Sequence, residues 1–439
     1  MVIFIKIVQL LLSLSILVIF HEFGHFTAAK IFRTRVEKFY LFFNPWFSLF
    51  KVKKGETEYG VGWLPLGGYV KIAGMIDESM DKEQMKLPPQ PYEFRSKPAW
   101  QRLIIMLAGV TVNVLLAICI YIMILLVWGD KYLPTTGLKY GISVDSLGYQ
   151  MGLRNGDKIL TVDNKTIEDF SDIPGRIVLE EAKTIQVLRN NEKINIEIPE
   201  DFPGKLIRSN SSDFISMRFP FEVGKFSMGS AAEKAGMKIN DRIIGINDSL
   251  FPFFNEFRMA LQHYKNKNVK ILVIRGADTL KLPLTVPAIG RIGVFNKELS
   301  AYFNLKERDY SFFTAIPAGF TKAFEGVGNY MKSIKLLFTQ DKAYESVGGF
   351  ITIGSIFPPT WDWLSFWALT AFLSIMLAVI NVLPIPALDG GHVLFLLYEI
   401  IFRRKPSDKF LEYAQIVGMV ILFGLLIFAN MNDIIKLFR

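Results

Sequence analysis

Two histidines and a glutamate stand in the order His21-Glu22-Phe23-Gly24-His25. On a helix, positions i and i+4 share a face, so His21 and His25 can hold one Zn²⁺ while Glu22, beside them, acts as a base toward water. A catalytic zinc usually takes three protein ligands and keeps one position open, so two histidines are not enough. The chain holds only four histidines, His21, His25, His263 and His392, and one cysteine, Cys119. That inventory excludes a thiolate cluster and an internal disulfide, and it leaves oxygen for the remaining ligand. His263 reads as a surface or core residue and Cys119 as a packing residue.

The oxygen candidate is Asp389, in the run Asn381-Val382-Leu383-Pro384-Ile385-Pro386-Ala387-Leu388-Asp389-Gly390-Gly391-His392. Prolines break the helical ladder and glycines let the backbone turn, so a carboxylate here can face across a bundle. Taken alone, Asp389 reads equally well as a helix cap before a glycine pair. Set against the two histidines in another span, the ligand reading prevails. His392 suits a supporting role, because a fourth protein ligand would leave no place for water.

These residues must be positioned by membrane helices. The histidines close an apolar run from Val2 to Phe20 that is broken by little more than Lys6, and ionisable residues in such a place are functional by default. With 51% hydrophobic and 14% aromatic residues among 439, the chain is too apolar for an ordinary soluble protein. Runs of bilayer length occur at Val2 to Phe26, Leu103 to Trp128, Leu364 to Leu383 and Ile416 to Phe428, the last needing helical flanks at Leu411 to Gln415 and Ala429 to Ile435. A multi-pass α-helical membrane protein with about four spans is therefore expected, with segments 1–28, 101–129, 362–403 and 404–439. The first run could be taken for a signal peptide ending at Phe26-Thr27-Ala28-Ala29, but its start is almost uncharged and cleavage would discard the histidines.

Net charge is +9, with basic residues concentrated in the loop after the first span and at Arg403-Arg404-Lys405. The positive-inside rule puts those loops in the cytoplasm, and both termini and the long 130–310 segment outside it. This excess calls for no nucleic acid.

Within segment 29–100, Glu58 to Gly74 alternates apolar residues with Gly and Pro and reads as a β-hairpin. Being uncharged over most of its length, it can associate with the membrane, and an edge strand around Gly67, Gly68 and Tyr69 could pair with an extended substrate. Asp77 to Pro98 reads as a charged linker. An internal repeat follows: Met151-Gly152-Leu153-Arg154-Asn155-Gly156-Asp157-Lys158-Ile159-Leu160 aligns with Ala235-Gly236-Met237-Lys238-Ile239-Asn240-Asp241-Arg242-Ile243-Ile244. The pattern resembles the core of PDZ domains, implying two extracytoplasmic α+β modules at 130–208 and 209–290. In the second copy, Asn240 and Asp248 stand where that family prefers glycine. Segment 291–361 contains a helical apolar stripe, Phe312, Ile316, Phe320, Phe324, Val327, Met331 and Ile334, suited to a membrane interface.

Together, HExxH in the first span, NxxPxPxLDG in the third and PDZ-like modules between them resemble the site-2 protease family of intramembrane zinc metalloproteases. Two departures are Phe350 in Gly348-Gly349-Phe350-Ile351, and Val110 in Gly109-Val110-Thr111-Val112-Asn113, both at positions where the family has proline. The resemblance implies that His21, His25 and Asp389 bind zinc, that Glu22 is the catalytic base, and that Asn381, assisted by Asn113, holds substrate backbone; both asparagines also read as interhelical hydrogen bonds. It further implies a bacterial inner-membrane location, an active site toward the cytoplasmic side, and transmembrane substrates already trimmed by another protease, such as an anti-sigma factor or a remnant signal peptide. A PDZ-bearing scaffold with a structural zinc site is the rival reading, against which Glu22 argues. A metal-dependent transporter has too few spans here and no inverted repeat.

Overall fold

The computed structural model describes residues 1–75, 87–209 and 214–438, so most of the first half of the expected 77–98 linker lies outside the described residues. Two compact units are formed: Met1–Gly129 with Asp309–Lys335 and Val347–Arg439, and Asp130–Arg308 with Leu336–Ser346.

The first unit is helical apart from one hairpin. Its elements are α1 (Val2–Ile31), β1 (Val36–Lys54), β2 (Thr57–Ile72), α2 (Ala99–Trp128), α3 (Phe312–Thr339, in this unit through Lys335), α4 (Phe350–Ile356), α5 (Trp363–Val382), α6 (Asp389–Phe402) and α7 (Asp408–Phe438). Among the described residues, four helices are long and apolar enough to cross a membrane: Val2–Ile31, Ala99–Trp128, Trp363–Val382 and Lys409–Lys436. The last covers both flanks that the apolar run at 416–428 needed. Large apolar side chains such as Val417, Val420, Phe423 and Ile427 stand exposed along α7, as a lipid-facing surface requires. The chain is a multi-pass helical membrane protein.

Helix α2 is the hub on which α1, α5 and α6 pack. Small residues set the closest approach: a Cβ at Gly24 of α1 would lie 2.4 Å from the Ala108 carbonyl oxygen of α2. Polar groups inside the bundle pair with one another, as the absence of water demands. Thr370 donates to Ser13 at 3.0 Å, Ser374 donates to the Asn113 carbonyl at 2.7 Å, and Arg102 of α2 pairs with Glu399 of α6 at 2.5 Å. Cys119 does not pack; it is exposed on α2.

β1 and β2 pair antiparallel from Val36 opposite Ile72 to Lys54 opposite Thr57, with several bulges. Lys38 to Leu41 of β1 each have two partners in β2, one within 58–61 and one within 68–71, so the Gly- and Pro-punctuated stretch bends back to flank β1 on both sides, its two arms pairing with β1 and not with each other. Gly60 and Gly62 mark close approach, and Gly67, with φ 146°, stands where the stretch bends. A Cβ at Gly60 would meet the Tyr40 ring at 2.4 Å, and one at Gly62 the Phe43 carbonyl oxygen at 2.1 Å. The hairpin base is fixed to the helices, since Val36 and Ile72 share a buried cluster with Ala28, Ile105 and Leu396.

Helix α3 is formed as expected, with much of its apolar stripe exposed. Ala315 and Ala323 are fully buried and Gly319 lies close to the α2 backbone, whereas Phe312, Phe320, Phe324 and Met331 are exposed. Small residues make the close contact with α2, Val327 and Ile334 pack on the cluster of Ala117, Ile375 and Val379, and the phenylalanines are left outside.

The second unit holds two modules with separate cores, one including Ile142, Leu153, Ile185 and Phe214, the other Val223, Ile243, Phe257 and Val273. The first has a three-stranded antiparallel sheet (Lys158–Val162, Thr184–Arg189, Glu192–Glu197); the second is built on a six-stranded sheet spanning Phe221–Asn296. The same polar staple occurs in both. Buried Asp157 accepts the Arg154 amide and both arms of Arg189, which also donates to the Gly152 carbonyl. Buried Asp241 accepts the Lys238 amide and both arms of Arg275, which also donates to the Gly236 carbonyl. Asn240, aligned with Gly156, has φ 71°, a backbone that asparagine tolerates. At the later turn the left-handed residue of the second copy is Asn247, with φ 54°, and not Asp248.

Candidate active site and metal centre

Helix α1 runs through the motif without interruption to Ile31, so His21 and His25 lie one turn apart, both buried. Helix α5 ends at Val382 because Pro384 and Pro386 cannot continue it, and the chain turns through Ala387 at φ 79° to begin α6 at Asp389. A side chain at Gly390 would collide with the Val382 and Leu383 carbonyls at 2.3 Å, so glycine is what lets α6 start this close to the end of α5. This break delivers the carboxylate to α1.

Three donor atoms converge. The two Nε2 atoms are 3.2 Å apart, and each lies 3.3 Å from Asp389 Oδ2. Ligands about 2.0–2.1 Å from a tetrahedral zinc stand about 3.3 Å from one another, so the three atoms form one face of that tetrahedron. Among the described residues this is the group that could hold a metal. Asp389 Oδ2 is also a buried oxygen without a hydrogen-bond donor, which a cation would satisfy. Donor chemistry, spacing and the orphaned oxygen all fit Zn²⁺.

The surroundings fix both imidazoles. His25 Nδ1 lies 2.8 Å from the Ile105 carbonyl, which can only accept, so the proton sits on Nδ1 and Nε2 keeps its lone pair for the metal. Asn113 is fully buried behind His21, its Nδ2 3.2 Å from His21 Nδ1 while its Oδ1 has no partner. Turning that amide over lets Oδ1 accept the Nδ1 proton and resolves both observations. Asn113 thus meets the face of His21 away from the metal and does not line the cavity.

A cavity of about 860 Å³ opens beside the three donors. Glu22, Asn381 and His392 line it, together with Gly67, Gly68 and Tyr69 of β2. Asn381 Nδ2 lies 3.4 Å from His21 Nε2. The Val70 amide of β2 hydrogen-bonds the Glu22 carboxylate, and the position of a Cβ at Gly68 is 3.6 Å from Glu22 Cγ. The Tyr69 hydroxyl donates to Asn44 at 2.9 Å and its ring stacks on Tyr40 and Phe43. The three donors, the Glu22 carboxylate and the β2 backbone thus line one chamber. His263, by contrast, is exposed in the second unit.

Gly109 belongs to the site although glycine carries no chemistry. A Cβ there would lie 2.3 Å from His25 Nε2 and 2.8 Å from His21 Cε1. Gly109→Val is expected to push the histidines off the metal and lower both zinc content and cleavage, the latter by about a hundredfold. Metal analysis on protein of unchanged helicity checks this; full zinc occupancy in the variant would refute it.

Comparison with known proteins agrees with this geometry. The chain is 27% identical to a provisionally assigned zinc metalloprotease of Vibrio cholerae, the alignment covering 98% of each. It is 26% identical to the regulator of sigma-E protease RseP of Escherichia coli over 97% of this chain and 98% of the relative. Protease RseP of Yersinia pestis matches at 26%, again over 97% and 98%. With the family profile matching residues 9–425 around a His-His-Asp metal site in membrane helices, the chain belongs to peptidase family M50 and is a zinc metalloendopeptidase of the site-2 protease type.

Proposed function

We propose that this enzyme acts as an RseP-like protease: it hydrolyses a peptide bond in the transmembrane segment of an anti-sigma factor or a remnant signal peptide, after another protease has trimmed that substrate outside the cytoplasm. The observation that carries the reading is the single chamber in which three tetrahedrally spaced donors, Glu22 and the β2 backbone meet at the ends of membrane helices.

In this reading His21, His25 and Asp389 hold zinc and Glu22 is the base. Bound there, zinc supplies Lewis acidity, polarising the scissile carbonyl and bringing the pKa of water toward about 7. Glu22 takes a proton from the attacking water onto its carboxylate and returns it to the leaving amine. Asn381 donates its amide to substrate backbone beside the histidines, and Asn113 holds His21 in the correct tautomer. A helical substrate hides its amides, so it must unwind before cleavage. Strand β2 from Gly67 to Tyr69 offers the extended form a backbone edge, and the lipid bilayer surrounds the whole bundle.

The basic loops favour an inner-membrane orientation with the site toward the cytoplasm and both termini in the periplasm. The paired Asp157 and Asp241 staples support two PDZ-like modules, which screen the size or new terminus of the trimmed substrate. Deleting residues 130–290 is then expected to permit cleavage of untrimmed substrate, read as the appearance of its product on a gel in cells lacking the first protease. Untrimmed substrate left intact by an otherwise active deletion variant would end the filter proposal.

A further inference from the structure

Gln415 is 5% exposed on α7, a membrane helix. A carboxamide buried at that depth is costly unless it is used. Its side chain lines the catalytic cavity and also the small cavity adjoining it, and its amide has no hydrogen-bond partner among the described residues. Gly418, one turn further on the same face, fixes its direction. A Cβ at Gly418 would fall 1.7 Å from the Pro386 carbonyl oxygen, so α7 lies flush on the loop that leads into Asp389. Gln415 is thereby held beside Ala387 and Leu388, which line the same cavity as β2.

We propose that Gln415 is a substrate-binding residue that pairs with the backbone edge of the extended substrate left open by β2. This rests on the reading above, in which β2 receives the substrate as a strand. A strand added to β2 satisfies one of its edges and leaves N–H and C=O groups on the other facing a chamber that is apolar over much of its wall. Unpaired there, those groups oppose unwinding of the substrate helix. A glutamine side chain offers a donor and an acceptor together, and so can pair with both an N–H and a C=O of the open edge.

The test uses full-length protein in detergent with a fluorescent transmembrane reporter, binding being measured in a Glu22→Gln background and turnover in active enzyme. Gln415→Met keeps length and volume and removes the hydrogen bonds. It is expected to weaken binding and raise KM by roughly three- to tenfold, with zinc content, thermal midpoint and kcat little changed, and Gln415→Asn should recover part of the loss. Reporters in which single backbone N–H groups near the scissile bond are replaced by ester oxygen separate the two edges. At one position the ester penalty should be present with Gln415 and vanish in Gln415→Met. Unchanged binding, a loss accompanied by falling zinc content or midpoint, or ester penalties that all ignore Gln415 would each overturn the assignment. If instead no ester weakens binding to any variant, the strand reading of β2 fails, an outcome distinct from failure at Gln415.

Discussion

Glu22→Gln is expected to retain its zinc and to lose cleavage by about 10²–10⁴-fold. Glutamine matches glutamate in shape, so the side chain can keep its place between Gly68 and the cavity. What it cannot do is carry a proton from water to the departing amine. Zinc stays because the three converging donors are His21 Nε2, His25 Nε2 and Asp389 Oδ2, with Glu22 outside that set. Zinc content of purified protein and cleavage of a transmembrane reporter are measured on the same preparation. Undiminished cleavage would sink the general-base mechanism, and loss of zinc would make Glu22 a ligand, contrary to the donor geometry. The contrast with a structural metal site is sharp, since such a site has no use for a carboxylate held beside it by a strand amide.

Much of this site is legible in the sequence because it depends on residue type and short spacing. HExxH at the end of an apolar run and a lone carboxylate among prolines and glycines select His21, Glu22, His25 and Asp389, and the small histidine and cysteine inventory leaves few alternatives. What stays hidden is set by packing. The partner of β2 is β1, whose Pro45 and left-handed Phe42 and Trp46 break the alternation that would reveal a strand. The small-residue face by which α3 approaches α2 is not marked in the sequence, because hydropathy ranks phenylalanine above alanine and glycine. In an apolar solvent, burying a large apolar side chain against protein gains little over leaving it in lipid, and close helix contact selects small residues instead. Gly24 and Gly109 escape notice for the same reason, as their contribution is the atom they lack. Gln415 is a polar residue in the flank of an apolar run, and only the fold shows that this flank borders the chamber.

Asp389→Ala is expected to remove most of both zinc and cleavage, and here the fold makes the effect larger than the loss of one ligand. His21 and His25 come from one helix, so together they bind metal without joining anything. Asp389 comes from α6, across the break after α5, and its carboxylate makes the ion a cross-link between α1 and α6. A ligand that binds only the folded state stabilises it in proportion to the logarithm of its concentration over Kd, about 4 kcal/mol at a thousandfold excess over Kd. The wild-type thermal midpoint should therefore fall when a chelator strips the metal and recover on adding zinc, and Glu22→Gln should behave the same way. Asp389→Ala should show neither response, because two histidines alone give zinc too little affinity and no second helix to hold. A zinc-dependent rise in the Asp389→Ala midpoint equal to that of wild type would mean that the carboxylate is not a ligand and that the 3.3 Å contacts are a histidine–aspartate pairing alone. The two variants thus separate the two roles proposed for the site: proton transfer at Glu22, and at Asp389 the retention of the metal that makes that transfer useful.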